Sequence, residues 1–167
     1  MTANRRTTVL IVSAVVFTML LGGMAFAQQN TATGTMETTT AITSGKVTMA
    51  DIDNALASGP VFVEFESKQC TYCKDQRPIS EALATDYEGK VTFFFVDVAE
   101  SRDLARSFQV SGVPQINVIA RKADGQYTYV DKDGSTSTSI AGSKFLGLTQ
   151  KDALKTALDA AVRMRGQ

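Results

Sequence analysis

The sequence contains no histidine and no tryptophan, and it has only two cysteines among its 167 residues. Without histidine, the chain lacks the side chain that titrates near neutral pH and the commonest metal ligand in proteins. Lys and Arg total 17 and Asp and Glu also total 17, so no basic excess favours nucleic-acid binding. The apolar content of 44% is that of a chain with one globular domain and appendages.

The first residues have the composition of an export signal. Arg5 and Arg6 precede an apolar run over residues 9–21, and residues 25–27 form a small-x-small cleavage pattern. The apolar run is shorter than the roughly 20 residues that span a membrane, although reading on to residue 27 nearly reaches that length. We therefore predict a signal peptide over residues 1–27, with an uncleaved membrane anchor as the alternative. Either one places the folded part outside the cytoplasm, as a secreted, periplasmic or cell-surface domain.

The rest of the chain divides into a linker and one domain. Residues 28–45 are rich in Thr and poor in apolar side chains, which predicts a flexible linker. Apolar segments separated by turn residues begin at residue 46 and predict one domain over residues 46–167. Residues 122–144 are longer than a simple hairpin connection requires, so they form either a substrate-facing elaboration or a surface insertion.

The apolar pattern predicts an α/β fold with a central mixed β-sheet and helices on both of its faces. Two capping boxes, Thr48 with Asp51 and Thr149 with Asp152, are expected to begin the first and last helices. Four helices are predicted. The first ends before Gly59-Pro60, the second spans about residues 70–87, and the others include residues 104–108 and 154–161. Predicted strands cover residues 61–65, 91–98, 115–120, 127–130 and 140–146.

The two cysteines occur as Cys70-Thr71-Tyr72-Cys73 at a predicted strand-to-helix junction. A structural zinc site takes four ligands, so two thiols without histidine predict no metal site. A thiol at a helix N-terminus is stabilised as a thiolate, and a second thiol one turn later can attack a mixed disulfide. These residues alone leave a structural disulfide as the alternative. A third interpretation, Cu(I) delivery, finds no Met or His beside the pair.

Further segments accompany the cysteine pair along the chain. They are Val63-Glu64-Phe65, Cys70-Thr71-Tyr72-Cys73-Lys74, Pro78, residues 87–92, Val96-Asp97-Val98, Gly112-Val113-Pro114 and residues 145–162. Together they resemble the thioredoxin superfamily over about residues 46–163, nearly the whole predicted domain. The resemblance implies a thioredoxin fold. It also implies that Pro78 bends the active-site helix.

The resemblance assigns roles to individual residues. Cys70 would be the exposed nucleophile and Cys73 the shielded thiol that resolves the mixed disulfide. Glu64 would be a buried carboxylate under the active site that helps to move the proton of Cys73, for which burial would raise its pKa. Val113 and Pro114 would form a cis peptide that faces the disulfide and exposes its backbone to an extended substrate.

Two positions depart from the family pattern. The tryptophan that usually precedes the first cysteine is Gln69 here, and Tyr72 is the candidate for an aromatic substrate surface in its place. Family members commonly carry a lysine near the buried carboxylate, where this chain has Phe95. We therefore expect Glu64 to lack that cationic neighbour.

The function that these expectations favour is an extracytoplasmic thiol–disulfide oxidoreductase that reduces or exchanges disulfides in exported proteins. It would need no cofactor beyond its own cysteines, and it would exchange electrons with a membrane-bound donor or acceptor. Contact with the membrane would occur only through the N-terminal segment, if that segment is uncleaved. The alternative is a non-catalytic interaction module in which Cys70 and Cys73 form a fixed structural disulfide.

Overall fold

The structure, a computed structural model, describes residues 42–166, so the predicted signal peptide and most of the predicted linker lie outside the described residues. The helices are α1 (Met49–Ser58), α2 (Thr71–Asp86), α3 (Arg102–Ser107) and α4 (Lys151–Arg165). The strands are β1 (Ile42–Gly45), β2 (Val61–Glu66), β3 (Thr92–Asp97), β4 (Gln115–Ala123), β5 (Gln126–Val130), β6 (Thr136–Ser137) and β7 (Phe145–Leu146).

The strands form one mixed sheet in the order β1-β3-β2-β4-β5-β6, and β7 pairs with β4. β1, β3 and β2 run parallel, whereas β4 is antiparallel to β2 and to β5. The ends of β2 and β3 at Glu66 and Asp97 therefore lie at the same edge of the sheet as the start of β4 at Gln115. This edge carries the cysteine pair, because Cys70 follows β2 and precedes α2.

Helices cover both faces of the sheet, as predicted. Alternate residues of β2 point to opposite faces, so Phe62 packs with α2 and α4 while Val63 packs with α1 and α3. Phe62 and Phe93 stack with their ring centroids 4.7 Å apart in the first of these layers. Burial of each large apolar side chain contributes roughly 1.5–3 kcal/mol, which makes the two layers the main source of stability.

Several local predictions are confirmed. Thr48 and Asp51 form the capping box of α1, in which the Asp51 carboxylate accepts from the Thr48 N–H at 2.8 Å. The turn between β4 and β5 has φ values of 51° at Asp124 and 77° at Gly125, the left-handed pair that a two-residue hairpin requires. The tip of this hairpin lies at the end of the sheet opposite Cys70, because β4 runs away from the active-site edge.

Three predictions were wrong. The linker was predicted to extend to residue 45, but Ile42–Gly45 forms β1 and pairs with β3 through its backbone. Residues 140–146 were predicted as a strand, but only Phe145–Leu146 pairs with β4, because the chain turns through a Ser143 N–H to Ile140 carbonyl hydrogen bond. The N-cap of α4 is Gln150 without a side-chain hydrogen bond, so Thr149 and Asp152 form no capping box.

Candidate active site

Cys70 and Cys73 lie at the N-terminus of α2 and form a disulfide with a Cα–Cα distance of 5.3 Å. Cys70 is the N-cap residue, and the backbone N–H of Cys73 donates to its sulfur at 3.0 Å. In the reduced protein, the same N–H and the positive end of the helix dipole would stabilise a thiolate at Cys70. This position therefore favours Cys70 as the nucleophile.

The two sulfurs differ in their access to solvent. Cys73 is 3% exposed, because it lies on the face of α2 that is turned toward the sheet. Cys70 is half-buried and stands at the end of the helix. A protein substrate therefore has access to Cys70, while Cys73 is placed to react within the molecule.

The Val113–Pro114 peptide bond is cis, as predicted, and lies beside the cysteine pair. The carbonyl oxygen of Val113 is 3.4 Å from the sulfur of Cys70. The Pro114 carbonyl accepts from the N–H of Gly147 at 2.9 Å, which ties the cis-proline loop to the segment after β7. Val113 is half-buried and Pro114 is buried, so the backbone before the proline is the accessible part.

Three large exposed apolar side chains lie on α2 and on the segment bonded to the cis-proline loop. Tyr72 is 63% exposed on the first turn of α2. Leu146 and Leu148 are 57% and 41% exposed, and they flank Gly147, which is bonded to the cis-proline loop. Tyr72 was predicted from the sequence, but both leucines were missed, because the sequence does not show that Gly147 between them bonds to the cis-proline loop. Large exposed apolar groups at one edge are a feature of protein-binding surfaces.

Glu64 is fully buried, in the middle of β2. Its side chain is on the same face of the sheet as Phe62, toward α2. Neither of its carboxylate oxygens has a hydrogen-bond partner among residues 42–166. Burial raises the pKa of Glu64 to about 7, and a weak hydrogen bond from the nearby Ser80 hydroxyl, outside ideal geometry, opposes that rise. A group that is half ionised at neutral pH is suited to accepting and releasing a proton.

Arg77 is a functional candidate that the sequence did not reveal. Phe95 is paired in register with Glu64, and the Arg77 guanidinium lies 3.9 Å from the centroid of the Phe95 ring. Arg77 also forms an ion pair with Glu66. The lysine of the family pattern is absent, as expected, but α2 supplies a different cation, Arg77, whose charge acts on Glu64. The signal in the sequence was the spacing of one helical turn between Cys73 and Arg77.

A cavity of about 530 Å³ opens beside the buried cysteine. Its lining includes Cys73, Arg77, Glu66, Lys68 and Asp97. It is thus a route by which solvent comes close to the resolving thiol without passing Cys70.

Gln76 is a second residue that the sequence did not reveal. It is fully buried on α2, and its amide oxygen accepts from the Thr149 N–H at 2.7 Å. The Thr149 hydroxyl donates to the Gly147 carbonyl at 3.2 Å, and Gly147 bonds to Pro114. The chain of bonds joins α2, the segment after β7 and the cis-proline loop, which are the parts that surround the disulfide.

No group of three or more His, Cys, Asp or Glu side chains within residues 42–166 is arranged to hold a metal ion. In the same part of the chain, none of the helices has the length and apolarity to span a membrane.

Comparison with known proteins agrees with this geometry. The family profile described as Thioredoxin matches residues 35–142. This chain belongs to the thioredoxin family. A thioredoxin of Staphylococcus aureus (strain Mu50 / ATCC 700699) is 40% identical over 81 residues, which are 48% of this chain and 75% of the relative. Membership of this family, together with the Cys70–Cys73 pair, makes the chain a protein-disulfide oxidoreductase.

Solved structures show the same fold. A mutant thioredoxin from Halobacterium salinarum NRC-1 aligns with a TM-score of 0.55 at 22% identity, over 74% of this chain and 92% of that one. A chain from a structure concerning thiol resolution in yeast mitochondrial 1-Cys peroxiredoxin via glutathione and thioredoxin systems aligns with a TM-score of 0.52. Its identity is 22%, over 72% of this chain and 95% of that one. Identity at this level shows the thioredoxin fold alone.

Proposed function

We propose that this family member acts outside the cytoplasm and reduces or exchanges disulfides in exported proteins. The observation that carries the catalytic part is the position of the Cys70 sulfur. It accepts from the Cys73 N–H at 3.0 Å and lies 3.4 Å from the Val113 carbonyl. The nucleophile is thus stabilised by the helix end and stands next to backbone that an extended peptide can pair with.

The reaction follows from the two environments of the cysteines. The Cys70 thiolate attacks one sulfur of a substrate disulfide, and the other substrate sulfur leaves as a thiolate. Cys73 transfers its proton to the Glu64 carboxylate and attacks the Cys70 sulfur, which releases the second substrate thiolate. Two electrons have then passed from the enzyme to the substrate, and the enzyme has the Cys70–Cys73 disulfide seen here. A membrane-bound dithiol donor would restore the reduced form.

Reduction of insulin disulfides in the presence of a chemical dithiol tests this reaction. The Cys70→Ser variant is expected to lose activity, because the helix-capping thiolate is gone. The Cys73→Ser variant is expected to accumulate mixed disulfides with substrate through Cys70. Insulin reduction that survives Cys70→Ser would exclude the mechanism. A Cys73→Ser variant without any trapped substrate would argue against protein disulfides as substrates.

The location outside the cytoplasm is supported by the N-terminal sequence. Arg5, Arg6, the apolar run over residues 9–21 and the small-x-small pattern at residues 25–27 have the order of an export signal. Expression of the full chain followed by cell fractionation and mass measurement tests it. A mature protein that begins at Gln28 outside the cytoplasm supports cleavage. A full-length protein in the membrane fraction supports the anchor, and a full-length cytoplasmic protein contradicts export.

A further inference from the structure

Glu64 has no hydrogen bond of good geometry among residues 42–166, but several charged groups act on it. Burial is the main cause of its raised pKa, and the negative charges of Glu66 and Glu81 add to the rise, whereas the positive charge of Arg77 opposes it. Ile116 of β4 is paired in register with Glu64, and α4 contributes apolar side chains to the same layer. The charged groups that act on Glu64 therefore come from β2 and α2.

Arg77 is held in one place by two contacts. Its guanidinium lies over the Phe95 ring at 3.9 Å, and it forms an ion pair with Glu66. Only 26% of its side chain is exposed, so its charge is screened less by solvent than that of an ordinary surface arginine. A weaker ion pair with Glu81, at 3.9 Å, lies on the solvent side.

Arg77 also lies next to the resolving thiol. Cys73 and Arg77 are four residues apart on α2, so they lie on the same side of the helix, and both line the cavity beside the disulfide. Lys68, which also lines the cavity, forms ion pairs with Asp97 at 3.9 Å and with Glu100 at 3.6 Å. Lys68 is 77% exposed, whereas Arg77 is mostly buried, lines the cavity with Cys73 and is the cation whose charge acts on Glu64 among residues 42–166.

We infer that the Glu66–Arg77 pair, seated on Phe95, is a positioning element that controls when the buried Glu64 carboxylate accepts the proton of Cys73. The inference rests on the proposed role of Glu64 in the resolving step. In that step the S–H bond of Cys73 breaks, the proton goes to Glu64, and the sulfur attacks Cys70. Arg77 favours the ionised, proton-accepting form of Glu64, and Glu66 limits that effect by neutralising Arg77.

The two members of the pair therefore have opposite effects on the proton acceptor. Arg77→Gln removes the cation, so Glu64 keeps its proton to higher pH and the resolving step begins at higher pH. Glu66→Gln leaves Arg77 without its nearest anion, so Glu64 ionises at lower pH and the step begins at lower pH. We expect each substitution to shift the pH midpoint of the resolving step by about 0.5–1 pH unit. The shift should be near the lower value where the substituted charge is partly solvated.

The experiment measures the ascending limb of the pH profile for a single turnover of insulin reduction by the pre-reduced full chain. The variants are Glu66→Gln, Arg77→Gln, Arg77→Lys and the double variant Glu66→Gln/Arg77→Gln. Arg77→Lys, which keeps the charge, is expected to restore the wild-type midpoint, and the double variant is expected to lie between the single ones. Arg106→Gln and Asp103→Asn, which break an exposed ion pair on α3, are matched controls without a shift.

A second readout does not depend on turnover. In protein labelled with ¹³C at the glutamate carboxyl groups, the Glu64 signal is assigned by its loss in Glu64→Gln, and its titration midpoint is expected to move in the same two directions. Identical Glu64 titration midpoints in the wild type and all the variants would overturn the inference. Shifted carboxyl midpoints with unshifted turnover profiles would also overturn it. Absence of insulin reduction by the wild type at every pH would instead contradict the proposed function, and the carboxyl titration would still decide whether the pair controls Glu64.

Discussion

The amide oxygen of Gln76 accepts the backbone N–H of Thr149 at 2.7 Å, which fastens the active-site helix to the segment before α4. Gln76 is completely buried, and its amide nitrogen donates to the Ser80 hydroxyl at 3.3 Å. This hydrogen bond joins α2 to the segment after β7, which is bonded to the cis-proline loop through Gly147 and Pro114. One buried side chain thus joins two parts of the active site that are distant in sequence.

Replacement of Gln76 with leucine is expected to destabilise the protein. The Thr149 N–H would lose its acceptor in a partly buried site, and because an unsatisfied buried donor costs about 1–3 kcal/mol, we expect a loss near the lower value. Urea denaturation of the oxidised protein measures the change in the free energy of unfolding. Gln126→Leu on the exposed part of β5 serves as the control. Equal midpoints for Gln76→Leu and the wild type would show that the bond to Thr149 contributes little.

Glu64 is expected to make the protein less stable as the pH rises. The folded-state pKa of about 7 exceeds the ordinary value of 4.5, so the folded protein binds the proton more tightly than the unfolded chain. The resulting stability is full below about pH 4.5 and is lost as the pH rises through 7. The shift corresponds to about 3 kcal/mol.

Glu64→Gln tests this linkage, because glutamine stays neutral at every pH. Urea midpoints measured from about pH 4 to about pH 9 are expected to fall in the wild type and to fall less in the variant, so that the variant is the more stable protein at high pH. Glu88→Gln, at an exposed position, should follow the wild type. Parallel curves for the wild type and Glu64→Gln would be incompatible with a raised pKa at Glu64.

Tyr72 is expected to affect the binding of protein substrates and not the stability of the fold. Its side chain is 63% exposed, so Tyr72→Ala removes little packing within the protein. Loss of an aromatic contact should raise the KM for insulin about threefold to tenfold with a small change in kcat. Tyr72→Phe should behave like the wild type, and reduction of hydroxyethyl disulfide should be unaffected. An equal loss of activity with insulin and with hydroxyethyl disulfide would indicate that Tyr72 acts on Cys70 itself.

β1 is expected to contribute to stability although it lies in a segment that resembles a linker. Ile42–Gly45 pairs with β3, and the Val47 N–H that follows donates to the Ser101 hydroxyl at 2.8 Å. A chain that begins at residue 46 should therefore unfold at a lower urea concentration than one that begins at residue 42. We expect its free energy of unfolding to be lower by roughly 1–2 kcal/mol, because the backbone hydrogen bonds of β1 are lost. Identical unfolding curves would place the start of the cooperative domain after β1.

Those elements that bury a periodic apolar face could be predicted from the sequence. Val61–Glu66 and the four residues Phe93 to Val96 became central strands because their large apolar side chains fill both layers of the core. The turn at Asp124-Gly125 followed from residue types with strict backbone preferences, and the cis bond at Pro114 followed from the resemblance to the thioredoxin superfamily.

The elements that depend on tertiary contacts could not be predicted. β1 is exposed and polar, so only its backbone pairing with β3 defines it as a strand. Gln76 carries no local signal, because its acceptor role depends on Thr149, 73 residues away. Arg77 was missed because the family pattern directed attention to Phe95, whereas the cation reaches the same place from α2.

The direction of β1 determines the end of the sheet at which the chain enters the domain. Ile42 is paired with Phe93 near the beginning of β3, and Cys70 follows the opposite ends of the parallel strands. The chain thus enters the domain at one end of the sheet, and the disulfide lies at the other end. A connection through Ile42 therefore joins the domain at the end of the sheet away from the disulfide, which leaves the surface around Cys70 clear of the point of attachment.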